Sequence, residues 1–172
     1  MILVTFLSET GNTRRIASAI HSEIDGPVRF IGMESADPAV PYDLIFAGFP
    51  VWQFGPAGPA RQYLAKLPGG QKVALFVTHA MDPDPVDPGQ RKMLDAILAR
   101  CRNAAAHLSL AGFFHCRGEL SEAATSMLLE SGMPLLASFA AMHDETIGHP
   151  DEAEIQQAAT FAREILHETL HQ

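Results

Sequence analysis

Apolar residues come in short, nearly unbroken runs along the chain, and between the runs they recur every three or four positions. Ile2 to Leu7, Leu44 to Phe49 and Val73 to Val77 are runs of the kind that form strands covered on both faces. Leu108 to Phe114 is a fourth, interrupted by Ser109 and Gly112. Val28, Arg29, Phe30 and Ile31 mix polar and apolar character, as a half-exposed edge strand does. The intervening segments have a helical period. Ile16, Ile20 and Ile24 repeat every four residues, as do Met93, Ile97 and Cys101, and Ala60, Leu64 and Leu67 mark a shorter helix after GPAGP. A last helix carries Ile155, Ala158, Ala159, Ala162, Ile165 and Leu166 on one face. Pro150 and the pair Asp151 and Glu154, an acidic capping box, signal its start.

Strand and helix alternate, which predicts an α/β fold with right-handed crossovers and a five-stranded parallel sheet, helices on both faces. A central first strand with the polar second strand at one edge gives a doubly wound order of 2-1-3-4-5. The whole chain, 1–172, reads as a single domain. Ser121 to Gly148 is harder to read: it begins as a helix, stops at Gly132 before Pro134, and then loses its period.

Composition narrows the class. Hydrophobic residues make up 47% and charged residues 19%, so the chain is a folded domain and not a disordered one. A formal net charge of −8 argues against nucleic acid or an anionic membrane surface as partner, and is compatible with a cationic protein. Cys101 and Cys116 form no CxxC pair or disulfide framework, which suits a reducing compartment. No run is long enough to span a bilayer, and Glu9 cuts short the first apolar run, so the expected location is the cytoplasm, with no membrane insertion.

In open sheets of this order, ligands bind beyond the carboxyl ends of the strands, where the order reverses. The stretch SETGNT, residues 8–13, sits there, between the first strand and the first helix. A helix start offers unpaired N–H groups and a partial positive charge. Ser8, Thr10, Asn12 and Thr13 add hydroxyl and amide donors, and Gly11 allows a tight curl, so the turn suits a phosphate. Taken alone, it reads equally as a capped helix start. It has neither the GxxxxGK[ST] of nucleotide hydrolysis nor the GxGxxG of dinucleotide binding. The third strand runs into GFPVWQFGP, placing Trp52 and Phe54 just beyond the sheet. Rings there are read either as packing residues or as a cover for something flat.

These stretches resemble the flavodoxin family. SETGNT looks like its loop for the FMN phosphate, PVWQFG like the loop along the isoalloxazine ring, and VTHAMD falls where a third ring-contacting loop does. FFHCRG and GHPDEAEIQQAATFA are similar to flavodoxin-like proteins of anaerobic bacteria. The resemblance implies FMN as cofactor, its phosphate on Ser8, Glu9, Thr10, Gly11, Asn12 and Thr13. Pro50, Val51, Trp52, Gln53, Phe54 and Gly55 would line one side of the flavin, and Thr78, His79 and Ala80 would close the other.

The chain departs from the family pattern twice. Gln53 stands where many carriers have a glycine whose peptide can turn over, so a positive φ there is expected to be costly. The third loop lacks the tyrosine common in carriers and reads THAMDPDPVDPG, whose Asp82, Asp84 and Asp87 would lower the potential of a nearby flavin.

The resemblance implies an electron-transfer protein working between soluble redox partner proteins, with no side chain required as a catalytic acid or base. Two alternatives stay open: an FMN-dependent oxidoreductase acting on a quinone-like or tetrapyrrole-like substrate, and a flavin-free interaction module. His79 reads as an exposed loop histidine or as a titrating group beside the flavin. His115 with Cys116 lacks a second ligand pair at metal-binding spacing, His167 and His171 make at most an adventitious contact, and no metal site is expected. Arg14 and Arg15 open the first helix, an unfavourable place for cations unless an anion is near.

Overall fold

The computed structural model describes residues 1–170; His171 lies outside the described residues. Five parallel strands form the sheet: β1 (Ile2–Phe6), β2 (Val28–Gly32), β3 (Leu44–Trp52), β5 (Lys72–His79) and β6 (Ser109–Arg117), in the order β2-β1-β3-β5-β6. This is the predicted 2-1-3-4-5 arrangement. A sixth strand, β4 (Gly55–Pro56), adds a short antiparallel pair to the end of β3. Register is continuous across the centre, Ile2 facing both Val28 and Leu44, and Ile45 facing Val73.

The helices bury their apolar stripes on the two faces. α1 (Asn12–Ser22) and α7 (Glu152–Leu170) lie on one side, where Ile16, Ile20, Ala158, Ala162 and Ile165 join Val4, Phe46 and Phe76. α2 (Gly58–Lys66) and α3 (Pro88–Asn103) cover the other, where Leu64 and Cys101 meet Leu3, Ile45 and Leu75. Leu3, Phe46 and Leu75 have no exposed surface, and complete burial of such a side chain stabilises by roughly 1.5–3 kcal/mol. Gly48 is required by packing: a Cβ there would lie 1.8 Å from the Phe76 ring. α7 begins as its acidic box predicts. Asp151 Oδ1 accepts from the Glu154 N–H at 3.0 Å, and Glu154 Oε2 accepts from the Asp151 N–H at 2.8 Å.

Strand ends and the segment after β6 differ from the pattern of the sequence. β3 continues past Phe49 to Trp52, because Val51 and Trp52 find antiparallel partners in Pro56 and Gly55. β6 runs on to Arg117, since Val77, Thr78 and His79 offer it a ladder. The segment after β6 resolves into α4 (Glu122–Glu130), α5 (Pro134–Ala140) and the single turn α6 (His143–Thr146). Ser121 caps α4 by accepting from the Ala124 N–H, and Gly132, with φ +68°, follows its end. No helix among the described residues is long and apolar enough to cross a membrane.

Candidate functional site

The carboxyl ends of β1, β3, β5 and β6 bring the three sequence-marked loops to one edge of the sheet. At the first, Gly11 precedes α1 with φ +96°, a left-handed conformation that side chains other than glycine adopt at a cost. The space where its Cβ would stand is open. Ser8 Oγ accepts from the Arg14 N–H at 3.3 Å, and Gly11 O accepts from the Arg15 N–H at 3.0 Å. The Asn12 and Thr13 N–H groups meet no acceptor among the described residues. Glu9 and Thr10 are exposed, and no acidic residue stands in the first turn of α1. The result is an open helix N-terminus with two cations, Arg14 and Arg15, exposed on its first turn.

Two donors of this loop are already engaged. Thr13 is buried and its Oγ1 pairs with Thr78 Oγ1 at 2.8 Å, joining the start of α1 to the end of β5. Asn12 Nδ2 donates to Glu119 O at 2.8 Å, joining it to the end of β6. These contacts position the loop. They leave its backbone N–H groups and the hydroxyls of Ser8 and Thr10 for an anion.

At the second loop the chain makes a two-residue hairpin between Trp52 and Gly55. Such turns need positive φ at both central residues when they follow the twist of the strands. Gln53 has φ 49° and Phe54 φ 64°, so the left-handed backbone is present without glycine. The positive φ expected to be costly at Gln53 is adopted all the same. The surroundings hold it there. The Phe54 ring packs edge-on to Phe139 of α5 at 5.5 Å between centroids, in a cluster with Met81, Leu94 and Ile97, and Arg100 Nη1 donates to Phe54 O at 3.0 Å. Trp52 is half-buried against the α2 and α3 side of the core, Gln53 is exposed, and Pro50, Val51 and Gly55 form the walls of the hairpin.

At the third, the structure places His79 inside the protein, 6% exposed. Its Nε2 lies 3.0 Å from His115 Nδ1, the rings stack at 5.3 Å, and its Nδ1 is buried with no partner in hydrogen-bond geometry among the described residues. Burial is the main cause that pushes its pKa down to about 3. His115 adds to this, and the Met81 backbone opposes it. Burial also lowers the pKa of His115, with Arg102 adding to the shift. Ala80 is half-buried beside it.

Arg117, which the strand pattern did not single out, organises this corner. Its Nε donates to the Ala80 and Met81 carbonyls, both at 3.3 Å, and its Nη groups reach Glu145 O and Oε2 in α6. A lone arginine closing an apolar strand is the only sequence signal it leaves.

His149, Asp151 and Glu154 bring ligand-type atoms within 4.8 Å of one another. Each Glu154 oxygen already has a partner: Oε1 accepts from the Arg117 N–H, and Oε2 from the Asp151 N–H and from His149 Nδ1 at 2.6 Å. The group is an anchored helix start. Cys101 and Cys116 are buried packing residues, and burial pushes both thiols up.

Known proteins are similar to this chain in sequence and in fold. The chain is 26% identical over 175 residues to the flavodoxin-like domain-containing protein BilS of Clostridioides difficile (strain CD3), covering 95% of each. It superposes on oxidised Flavodoxin 2 from Bacillus cereus with a TM-score of 0.57 at 18% identity, covering 97% of this chain and 98% of that one. A flavodoxin from the domain Archaea gives a TM-score of 0.56 at 14% identity, over 99% of both chains. These two likenesses are of fold. The sequence profile of the flavodoxin domain matches residues 3–163, almost the whole chain. The chain therefore belongs to the flavodoxin-domain family.

Proposed function

We propose that the chain binds FMN at the carboxyl edge of the sheet and carries electrons between soluble redox partner proteins. The open N-terminus of α1 carries this reading: a glycine at φ +96°, unpaired N–H groups at Asn12 and Thr13, and Ser8 and Thr10 hydroxyls at hand. That set fits a phosphate monoester, and the half-buried Trp52 at the neighbouring strand end fits a flat ring.

Ser8 to Thr13 would hold the phosphate. Pro50 to Gly55 would form one wall of the ring site and Thr78 to Ala80 the other. That second wall is rigid, because His79 O accepts from the Gly118 N–H at 2.8 Å and Ala80 O from Arg117. His79 stays neutral and buried behind it, so its side chain is a support and not a contact. Bound FMN supplies the electron-transfer chemistry, and the protein's part is to hold it and to limit what reaches it.

The absorption spectrum of the purified protein, followed by titration of the apoprotein with FMN, tests the proposal. Flavin bands and quenched flavin fluorescence are expected. Gly11→Val should weaken binding at least ~10-fold, about 1.4 kcal/mol, because a β-branched residue at that φ forces the cradle to rearrange. Trp52→Ala should lose quenching as well as affinity. A protein that binds no FMN, or whose Gly11→Val variant binds it as well as the parent does, would overturn the assignment.

A further inference from the structure

The helical segment between β6 and α7 is poorly covered by the rest of the protein. From Ser121 to Ile147 only Ala140 and Thr146 are buried, and α4 buries no side chain. Its α4 and α5 lie together as a hairpin, joined through Ser131, Gly132 and Met133. Around this tip Met127, Leu129, Met133 and Leu135 are 72%, 58%, 56% and 46% exposed. Four large apolar side chains within nine residues form a cluster, unlike the isolated exposed residues common on any surface. Two of them are methionines, which adapt to the shape of whatever covers them.

The charge on the hairpin and the chain flanking it is of one sign, with Glu130 beside the tip and the other acids at its base. Residues 119–148 contain Glu119, Glu122, Glu130, Asp144 and Glu145 and no Lys or Arg. All five acids are exposed, and among the described residues Glu145 alone of these meets a cation, Arg117. We infer that the tip of the α4–α5 hairpin docks a partner protein whose contact face is apolar at its centre and rimmed by Lys and Arg. A second copy of this chain would bring the same acids against these ones, and anionic lipid would be repelled in the same way. A cationic rim meets the field favourably, and the apolar centre supplies the contact. The location suits a redox partner. Phe139 and Met142, at the other end of the hairpin, pack with Phe54 and Met81 at the carboxyl edge. The docking surface stands on its own observations and does not depend on FMN binding.

The test uses the full chain and a fluorescein-labelled amphipathic helical peptide built of Leu and Lys, with a Leu and Glu counterpart, read by anisotropy. The Leu/Lys peptide is expected to bind, more weakly as salt rises, and the Leu/Glu peptide to bind little. Met127→Ser/Leu135→Ser leaves the net charge unchanged and alters only exposed positions, so a wild-type circular dichroism melt is expected. This variant should bind the Leu/Lys peptide at least ~10-fold more weakly. Glu122→Gln/Glu130→Gln should bind more weakly and with a shallower salt dependence. Equal affinity of the Met127→Ser/Leu135→Ser variant and the parent would place the binding elsewhere and overturn the inference. It is equally overturned by dimerisation that the serine variant abolishes, or by co-sedimentation with phosphatidylcholine vesicles that the variant loses.

Discussion

Thr13 and Thr78 show how much of a site is settled by single hydroxyls. Each was visible in the sequence as a residue of a candidate loop, but the 2.8 Å bond between them, buried and 65 positions apart, was not. Thr13→Val should destabilise by about 1–3 kcal/mol, because it leaves the Thr78 hydroxyl buried and unpaired. The double variant Thr13→Val/Thr78→Val should recover most of that loss. Urea unfolding of the three variants forms the cycle, and additive losses would mean that the two hydroxyls do not act together. His79 gives a pH dependence of definite sign. In the unfolded chain it takes up a proton near pH 6.5; in the folded one burial holds this off to about 3. Between those values the unfolded state binds more protons, so stability falls as the pH drops from about 6.5 toward 3 and levels off below. His79→Asn should remove up to about 1.4 kcal/mol per pH unit of that slope. Unfolding free energies measured from about pH 6.5 to 4.5 would decide it, and parallel slopes for parent and variant would refute the link. A titrating group beside the site was one reading of the sequence; the burial that keeps His79 neutral, with His115 stacked on it, comes from contacts across the sheet.

Helices declared themselves best. The faces of α1 and α7 follow from spacing alone, and the start of α7 from Asp151 and Glu154, because caps and stripes are local. β4 left no such mark, being two residues long and defined only by its pairing with β3. The hairpin it closes holds Gln53 and Phe54 at positive φ, a conformation that costs roughly 1–2 kcal/mol for a residue with a side chain. Gln53 is exposed, so Gln53→Gly removes that cost without loss of packing. After the added freedom of glycine in the unfolded chain, the variant should be more stable by about 0.5–1 kcal/mol. A higher urea midpoint with an unchanged slope is the expected result. A lower midpoint would mean that the Gln53 side chain contributes to the turn.

In the molecule as a whole, stability is unevenly distributed. The sheet has apolar cover on both faces, whereas the stretch from Ser121 to Ile147 buries only Ala140 and Thr146. Amides of α4 and α5 should therefore exchange hydrogen through local opening, well before those of β1, β3 and β5, which should need global unfolding. Native-state exchange followed by mass spectrometry would show this, and equal protection of the two regions would contradict it. The sequence by itself determined the α/β class, the strand order and the loops at the reversal point, because apolar runs, helical periods and turn residues each act over a few neighbours. Only the tertiary structure decided which polar groups those loops keep free. It paired Thr13 with Thr78 and Asn12 with Glu119, buried His79 against His115, fixed the third loop with Arg117, and left the α4–α5 tip uncovered. Each of these outcomes joins residues far apart in the chain. Their distances are set by how the helices seat on the sheet, and no local pattern of residues encodes that.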